Sequence, residues 1–335
     1  MGRFERSVRV LREDDVRASI DMASCIDACD AAFASYSRGG AALPGVISLN
    51  VPERSGEVHV KAGHLHGAPY YAVKVASSFP RNTELGFRPS DGMVIAFDAE
   101  NGRPAAFLLD NGFLTDLRTG AAGGVAARHL APEHVWTVAV IGTGAQARYQ
   151  LDALAIVRPG FTTVRVWGRN RDHAAACVAE LEQRPGLPEG CTYEVAEKVE
   201  EAVGDADVVI TCTASGTPVL RGGWVKLGAH ITAVGSDAEN KQELDPTLPA
   251  RADLLVVDSR KQSAAIGELH HALASGLIDE RKAVELGEIC ALTHPGRTSA
   301  SQLTVCDLTG VGVQDVAATN VVMANMGDRG EVLQL

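Results

Sequence analysis

The sequence predicts an α/β protein with a doubly wound parallel Rossmann sheet and a second, mixed α+β domain built from both chain ends. Three observations support this fold class. Apolar strands and helices alternate between residues 138 and 257, a glycine-rich turn follows the first of these strands, and the first hundred residues hold successive strands without helices between them. A chain of 335 residues is long enough for two domains.

The N-terminal region contains one helix followed by several strands. Apolar periodicity predicts an amphipathic helix over residues 21–36. Turn residues then separate candidate strands at 45–51, 57–62, 70–76 and 93–98. Successive strands without intervening helices predict an antiparallel or mixed sheet.

An Ala-rich helix over residues 115–129 separates this region from the alternating one. Thr115 is a favourable N-cap residue, and Ala-Pro follows the helix. The alternation that comes next predicts βαβ units and a parallel sheet. Its strands lie at 138–141, 163–167, 208–211, 230–234 and 254–257, its helices at 145–157 and 174–183, and the apolar tail ends in a helix over 313–323.

The composition is that of an acidic globular protein. Hydrophobic residues make up 46% of the chain, charged residues 22%, and the formal net charge is -11. Nucleic acids and anionic membranes need a basic face, so we expect neither as a partner. The charged N-terminus lacks an apolar signal core, no run could span a bilayer, and the seven cysteines form no framework, so we expect a cytoplasmic protein. The histidines lack a metal-binding pattern, and we expect no metal site.

The turn after the first strand of the parallel region is a candidate dinucleotide loop with the pattern G-x-G-x-x-A. Gly142 permits the tight turn, and Gly144 lets a pyrophosphate approach the backbone. Ala147 keeps the following helix close to the strand. Ala145 and Gln146 open that helix, whose N-terminal N–H groups attract an anion. The loop predicts that NAD(P)(H) is the cofactor.

The end of the second parallel strand decides how the ribose is held. An NAD-selective site usually has an acid there. This chain has Gly168-Arg169-Asn170-Arg171 instead. We expect Arg169 and Asn170 to contact the cofactor, and either arginine could pair with the 2′-phosphate of NADP. A solvated arginine would leave NAD as the cofactor, so both dinucleotides remain open.

Several segments resemble the ornithine cyclodeaminase/mu-crystallin family. They are LLDNGFLTDLRTGAA from Leu108, VIGTGAQARYQ from Val140, VKV from Val73 with PRN from Pro80, GSD from Gly235 with EL from Glu243, and GVGVQD from Gly310. They keep their order over nearly the whole chain. The resemblance implies a homodimer, a substrate-binding and dimerisation domain over residues 1–125 and 305–335, and a Rossmann domain over 126–304.

Family membership implies a small amino or imino acid as substrate. Members include cyclodeaminases, alanine dehydrogenases, ketimine reductases, iminosuccinate reductases and ectoine-degradation enzymes. The resemblance therefore indicates the type of reaction more closely than it indicates the substrate.

Three residues match the family's active-site positions, and each has a physical reason to act there. Lys74 lies in the middle of a strand, where a buried ammonium is costly unless it binds an anion or acts as an acid. Arg118 lies near the start of a helix, where its planar fork suits a carboxylate. Asp237 follows a parallel strand and can exchange a proton with a substrate nitrogen. We expect Thr119, beside Arg118, to contact the cofactor.

One departure from the family pattern points to a dicarboxylic substrate. Near the position of an acid that cyclodeaminases use towards the ornithine side chain, this sequence has Lys61, and two facing ammonium groups would repel each other. Lys61 belongs to a cluster of cations that suits a substrate with two carboxylates better than it suits ornithine. The other members are Lys74, Arg81, Arg88 and Arg118. Lys61 and Arg88 are the candidates for the second carboxylate, although Arg81 and Arg88 could equally be solvated turn residues.

Three functions remain open from the sequence. The first is an NAD(P)H-dependent imine reductase or amino-acid dehydrogenase, for which we favour iminosuccinate, giving aspartate. The second is a cyclodeaminase, an ammonia-eliminating lyase whose tightly bound NAD shows no net turnover. The third is an NADPH-dependent ligand-binding protein similar to mu-crystallin, against which the acid at Asp237 argues.

Overall fold

The computed structural model describes residues 7–334. The first six residues, part of the segment that argues against a signal peptide, lie outside the described residues. The strands are β1 (Ser7–Arg12), β2 (Ala41–Ala42), β3 (Val46–Val51), β4 (Gly56–Leu65), β5 (Tyr70–Ser78), β6 (Ser90–Asp98), β7 (Pro104–Leu109), β8 (Thr137–Ile141), β9 (Thr163–Trp167), β10 (Thr192–Val195), β11 (Val208–Thr211), β12 (Gly216–Leu220), β13 (His230–Ala233), β14 (Gln242–Leu244), β15 (Leu254–Val257), β16 (Ala283–Glu285), β17 (Thr304–Asp307) and β18 (Glu331–Gln334). The α-helices are α1 (Glu13–Arg17), α2 (Met22–Ser37), α3 (Phe113–Leu130), α4 (Ala145–Val157), α5 (Arg171–Glu182), α6 (Val199–Val203), α7 (Thr247–Arg251), α8 (Arg260–Ile266), α9 (Glu268–Ala274), α10 (Leu286–Cys290) and α11 (Gly312–Asn325).

The elements predicted from periodicity are confirmed. The bounds of α4, β9, β11 and β15 are those predicted. Helix α5 begins earlier than predicted because the Asn170 side chain caps it, accepting hydrogen bonds from the backbone N–H groups of Asp172 and His173. Strands β1, β7 and β17 and the short strands β2, β10, β12, β14, β16 and β18 were not predicted. Most are too short to show a clear alternation of apolar and polar residues.

The chain separates into two compact units. The first contains the described residues up to Arg118 and from Gly312 onward, and the second contains Thr119–Val311. The predicted boundaries, after residues 125 and 304, differ from these. One observed boundary lies within α3. The other lies beyond β17, because β17 pairs with β13 and β15 and so belongs to the parallel sheet of the second unit.

The first unit is built on a mixed sheet that both chain ends complete. Its strand order is β18-β1-β7-β6-β5-β4-β2, and β3 also pairs with β4. Only β1 and β7 run parallel among these pairs of described strands, so the prediction of an antiparallel or mixed sheet is confirmed. The C-terminal strand β18 pairs with the N-terminal strand β1. Helix α11 packs against α2, β4 and β5.

The second unit is a doubly wound parallel sheet. Its strand order is β10-β9-β8-β11-β13-β17-β15-β16, and every neighbouring pair is parallel. The connections from β8 lead first to β9 and β10 on one side and then to β11 and β13 on the other. The strand order therefore reverses between β8 and β11, and ligands of such folds bind at the carboxyl ends of the strands at this reversal.

Both faces of this sheet are buried. Along β8, Val138 and Val140 face one apolar cluster, whereas Ala139 and Ile141 face the other. Burial on both faces explains why the central strands β8, β11 and β15 are almost entirely apolar. Within residues 7–334 no helix is both long and apolar enough to cross a membrane.

Candidate active site

Lys74 is buried in the first unit and pairs with a carboxylate. It lies in the middle of β5, and its residue is 2% exposed. Its Nζ atom lies 2.7 Å from Oδ1 of Asp315, which is buried in the first turn of α11. The two residues are far apart in the chain and meet because α11 packs against β5. A buried ammonium is stable only with such a partner.

Arg118 reaches the same carboxylate from α3. Its Nη1 donates a hydrogen bond of 2.9 Å to Oε1 of Gln314, and its Nε lies 3.0 Å from Oδ1 of Asp315. The second contact is an ion pair without a hydrogen bond, since the buried Nε–H has no hydrogen-bond acceptor within residues 7–334. We call Lys74, Arg118, Gln314 and Asp315 the Lys74 site.

The charges of the Lys74 site shift the pKa values of Lys74 and Asp315. Burial and the nearby Arg118 lower the pKa of Lys74 to about 7, although Asp315 opposes the shift. Burial raises the pKa of Asp315, but Lys74 and Arg118 outweigh it, so the pKa of this carboxyl is lowered overall. Asp315 therefore stays ionised, while Lys74 gains and loses its proton near neutral pH.

Lys61 adds a third cation. It lies on β4 directly opposite Lys74 of β5, and side chains at such paired positions lie on the same face of a sheet. Its charge contributes to lowering the pKa of both Lys74 and Asp315. Three cations next to one carboxylate leave an excess of positive charge, which suits an anionic ligand.

Asp110 supports the helix that carries Arg118. Its Oδ2 accepts a 2.7 Å hydrogen bond from the backbone N–H of Leu114, in the first turn of α3. Burial raises the pKa of Asp110 to about 6. No role was predicted for Asp110, Gln314 or Asp315, although all three lie in the segments that resemble the family. The signal for Asp315 in the sequence is that it is the single charged residue of the C-terminal helix α11.

The two remaining cations of the predicted cluster lie at the surface. Arg88 has a side chain that is 50% exposed, 3.8 Å from Glu13 and 3.6 Å from Asp116. Arg81 forms an exposed ion pair with Glu84. The structure therefore brings together Lys61, Lys74 and Arg118, while the role of Arg88 in substrate binding stays a prediction.

The predicted dinucleotide loop in the second unit joins β8 to α4 at the reversal of the strand order. Gly142 has a φ of 131°, and a Cβ atom there would lie 2.6 Å from the carbonyl oxygen of Cys212, which follows β11. Gly144 is the N-cap of α4, and a Cβ atom there would meet nothing within 4 Å. No side chain caps α4 in the described structure. Open space therefore lies at the N-terminus of this helix, which begins with Ala145 and Gln146.

This loop fits the pyrophosphate of a dinucleotide. At Gly142, close backbone packing requires a glycine. At Gly144, the missing side chain leaves room for a ligand. The N-terminus of α4 carries a partial positive charge, which attracts an anion. Of the predicted cofactor residues, Thr119 is tied to α4, because its carbonyl accepts a 2.9 Å hydrogen bond from Gln150.

Asp237 lies on the loop after β13, at the carboxyl edge of the parallel sheet. Its side chain is 53% exposed, and Oδ1 lies 2.6 Å from Nζ of Lys241. Nearby, the fully buried Glu243 accepts hydrogen bonds from the Oγ1 of Thr211 and the backbone N–H groups of Thr213 and Gly235. Glu243 thus connects the end of β11 to the loop that carries Asp237. Burial raises the pKa of Glu243.

Comparison with known proteins identifies the family. The sequence model of the ornithine cyclodeaminase/mu-crystallin family matches residues 6–330. A putative dehydrogenase of Rhizobium meliloti is 40% identical over 331 residues, which cover 98% of this chain and 99% of that protein.

Two solved structures are similar over almost their full length. The iminosuccinate reductase of Paracoccus denitrificans in complex with NAD+ is 33% identical with a TM-score of 0.86, covering 98% of this chain and 99% of that one. An archaeal alanine dehydrogenase dimer with bound NAD is 32% identical with a TM-score of 0.89 and the same coverage. The predicted fold class is confirmed, and the chain belongs to the ornithine cyclodeaminase/mu-crystallin family.

Proposed function

We propose that this chain is an NAD(P)H-dependent reductase that converts a small imino acid to an L-amino acid, with a dicarboxylic imine such as iminosuccinate as substrate. The Lys74 site is the observation that carries the proposal. It surrounds one carboxylate with two buried cations and places Lys61 beside them. The NAD+ complex of iminosuccinate reductase and the NAD complex of alanine dehydrogenase support the reaction class and the cofactor.

Arg118 is the main ligand of the substrate's α-carboxylate in this proposal. Gln314 and Asp315 hold its guanidinium in one orientation, and a fixed guanidinium binds a carboxylate through two hydrogen bonds. Lys74, in its ammonium form, adds a further charge-assisted hydrogen bond. Asp315 positions both cations and does not itself contact the substrate.

The reduction needs a hydride at carbon and a proton at nitrogen. The dinucleotide, when bound, supplies the hydride to the carbon of the C=N bond. Asp237 exchanges a proton with the substrate nitrogen, a role that typically contributes about 10²–10⁴-fold to a rate. Lys241 holds the Asp237 carboxylate in place, and Glu243 fixes the backbone of its loop.

Lys61 is the proposed ligand of a second carboxylate. Asp315 supplies only one negative charge near the opposed ammonium groups of Lys61 and Lys74, so a second anion beside Lys61 is favourable. A dicarboxylic substrate supplies one negative charge for Arg118 and another for Lys61. An ornithine side chain would instead add a third ammonium group.

Measurement of NADH and NADPH absorbance with a panel of 2-oxo acids plus ammonia tests the proposed function. We expect cofactor consumption to be fastest with oxaloacetate, the oxo acid of iminosuccinate. Consumption only with pyruvate or other monocarboxylic acids would contradict the dicarboxylic substrate.

Two results would contradict the reductase itself. Release of ammonia from ornithine without net cofactor consumption would select a cyclodeaminase. Tight NADPH binding without turnover of any substrate would select a ligand-binding protein.

We also propose that the chain acts as a homodimer in the cytoplasm. The dimeric alanine dehydrogenase supports the dimer, and the seven cysteines, all free in the structure, suit a reducing compartment such as the cytoplasm. Light scattering of the purified chain should give twice the monomer mass, and a monomer mass would contradict the dimer.

A further inference from the structure

The turn after β9 lies directly against the dinucleotide loop. The backbone N–H of Gly142 donates a 2.9 Å hydrogen bond to the carbonyl of Trp167, the last residue of β9. A Cβ atom on the next residue, Gly168, would lie 2.6 Å from Cγ2 of Thr143 in the loop. The side chains just beyond Gly168 therefore lie at the strand end where doubly wound folds hold the adenosine ribose of a dinucleotide.

This strand end carries no carboxylate. NAD-selective sites hold the ribose hydroxyls with an acid at this position. Here Gly168 has no side chain, and the contact with Thr143 excludes one. Residues 166–171 contain two arginines and no aspartate or glutamate. The usual acceptor for the 2′-hydroxyl of NAD is therefore missing from this segment.

Arg169 and Arg171 differ in their ion pairs and hydrogen bonds. Arg171 forms an ion pair with Glu197. Asn170 is used to cap α5, because its side-chain oxygen accepts hydrogen bonds of 2.8 and 3.2 Å from the backbone N–H groups of Asp172 and His173. Arg169 is exposed, and within the described part of the chain it has neither a hydrogen bond nor an ion pair.

We propose that Arg169 binds the 2′-phosphate of NADP(H) and gives this chain a preference for NADP(H) over NAD(H). The inference rests on the proposed binding of a dinucleotide and assigns its specificity to one residue. A guanidinium pairs with a phosphate through parallel hydrogen bonds, whereas it gains little from the neutral 2′-hydroxyl of NAD. Arg171 is already neutralised by Glu197 and contributes less. The preference would distinguish this chain from the two related structures that hold NAD or NAD+.

Fluorescence titration of the full-length chain with NADPH and with NADH tests this proposal without any substrate. We expect the wild type to bind NADPH about ten- to a hundredfold more tightly than NADH, the range that one or two charge-assisted hydrogen bonds support. Arg169→Ala should remove this difference by weakening NADPH binding, with NADH affinity unchanged.

Arg171→Ala is the matched control. It removes an arginine two positions away that belongs to an exposed ion pair, so the ratio of the two affinities should change by less than about fivefold. Calorimetry with 2′,5′-ADP and 5′-AMP isolates the same contact, because these probes differ only in the 2′-phosphate. We expect 2′,5′-ADP to bind more tightly than 5′-AMP to the wild type and equally to Arg169→Ala.

Two sets of results separate the possible failures. Equal wild-type affinity for NADH and NADPH, or an unchanged preference in Arg169→Ala, would overturn the role of Arg169 and leave the proposed reductase standing. A wild-type chain that binds neither dinucleotide would overturn the proposed function and this inference with it.

Discussion

Lys74 changes its charge near neutral pH because burial and Arg118 lower its pKa to about 7. If its ammonium form helps to bind the substrate carboxylate, kcat/KM for imine reduction should fall as the pH rises above about 7. Asp315 raises the pKa of Lys74, so Asp315→Asn should shift this decline to lower pH as well as reduce the rate. Steady-state rates between pH 5.5 and 9 check both expectations.

The shift in the pH profile distinguishes positioning of Lys74 from general damage to the fold. A mutant that only folds poorly would lose activity equally at every pH. An Asp315→Asn profile with the wild-type midpoint would therefore contradict the proposed action of Asp315 on Lys74.

Lys61 and Arg88 provide a matched pair of substitutions for the substrate. Lys61 adjoins Lys74, whereas Arg88 is half-exposed beside Glu13 and Asp116. Lys61→Ala should lower kcat/KM for the imine of oxaloacetate about ten- to a hundredfold more than for the imine of pyruvate, since only the former has a second carboxylate. Arg88→Ala tests the other predicted ligand: a larger loss for the imine of oxaloacetate would assign it to the second carboxylate, and similar, weak losses for both imines would leave it in its surface ion pairs alone. Equal losses for both substrates in Lys61→Ala would argue against a dicarboxylic substrate.

The β8–loop–α4 segment is the element that we expect to bind the cofactor, and Gly144 is its most open position. An aspartate there would place a negative charge and added volume at the end of α4 where the pyrophosphate is expected. Gly144→Asp should abolish NAD(P)H binding in a fluorescence titration while circular dichroism shows a folded chain.

Gly223→Asp serves as the control for this substitution. Gly223 also belongs to the second unit and has open space at its Cβ position, but it lies outside the dinucleotide loop. Its replacement should leave the affinity unchanged. Normal affinity in Gly144→Asp would remove the loop from the cofactor site.

Buried acids at the carboxyl edge of the parallel sheet link the stability of the whole molecule to pH. Asp307, at the end of β17, is fully buried, and burial raises its pKa to about 7 from an ordinary value of 3.8. Between about pH 4 and 7 the folded state therefore keeps a proton that the unfolded state releases. The free energy of unfolding should consequently decrease as the pH rises through this range.

Asp307→Asn removes the carboxyl group that binds this proton in the folded state. The slope of the unfolding free energy against pH should become less negative between pH 4 and 7, by up to about 1.4 kcal/mol per pH unit. Urea unfolding at several pH values measures the slope even if the amide lowers stability at every pH. Burial also raises the pKa of Glu268 and Glu243, so part of the slope should remain. An unchanged slope would contradict the raised pKa of Asp307.

Local patterns in the sequence determined the parallel sheet, the dinucleotide loop and most of the long elements. Apolar runs specify strands buried on both faces, and the glycines of G-x-G-x-x-A have a fixed spacing within a single turn, so both signals are visible in the local sequence. Strand β17 was not predicted because its place between β13 and β15 depends on its hydrogen-bonded pairing with these strands. Its own four residues do not specify that place.

Only the tertiary structure decided which charged residues are buried and which partners they have. Lys74 and Asp315 are separated by 241 residues and meet through the packing of α11 on β5, which no local pattern encodes. Folding also leaves Arg88 and Arg171 in surface ion pairs, whereas Arg169 has no ion pair within the described chain. Charge is visible in a sequence, but burial and the distance between charges set its pKa and its partners, and both arise only when the chain folds.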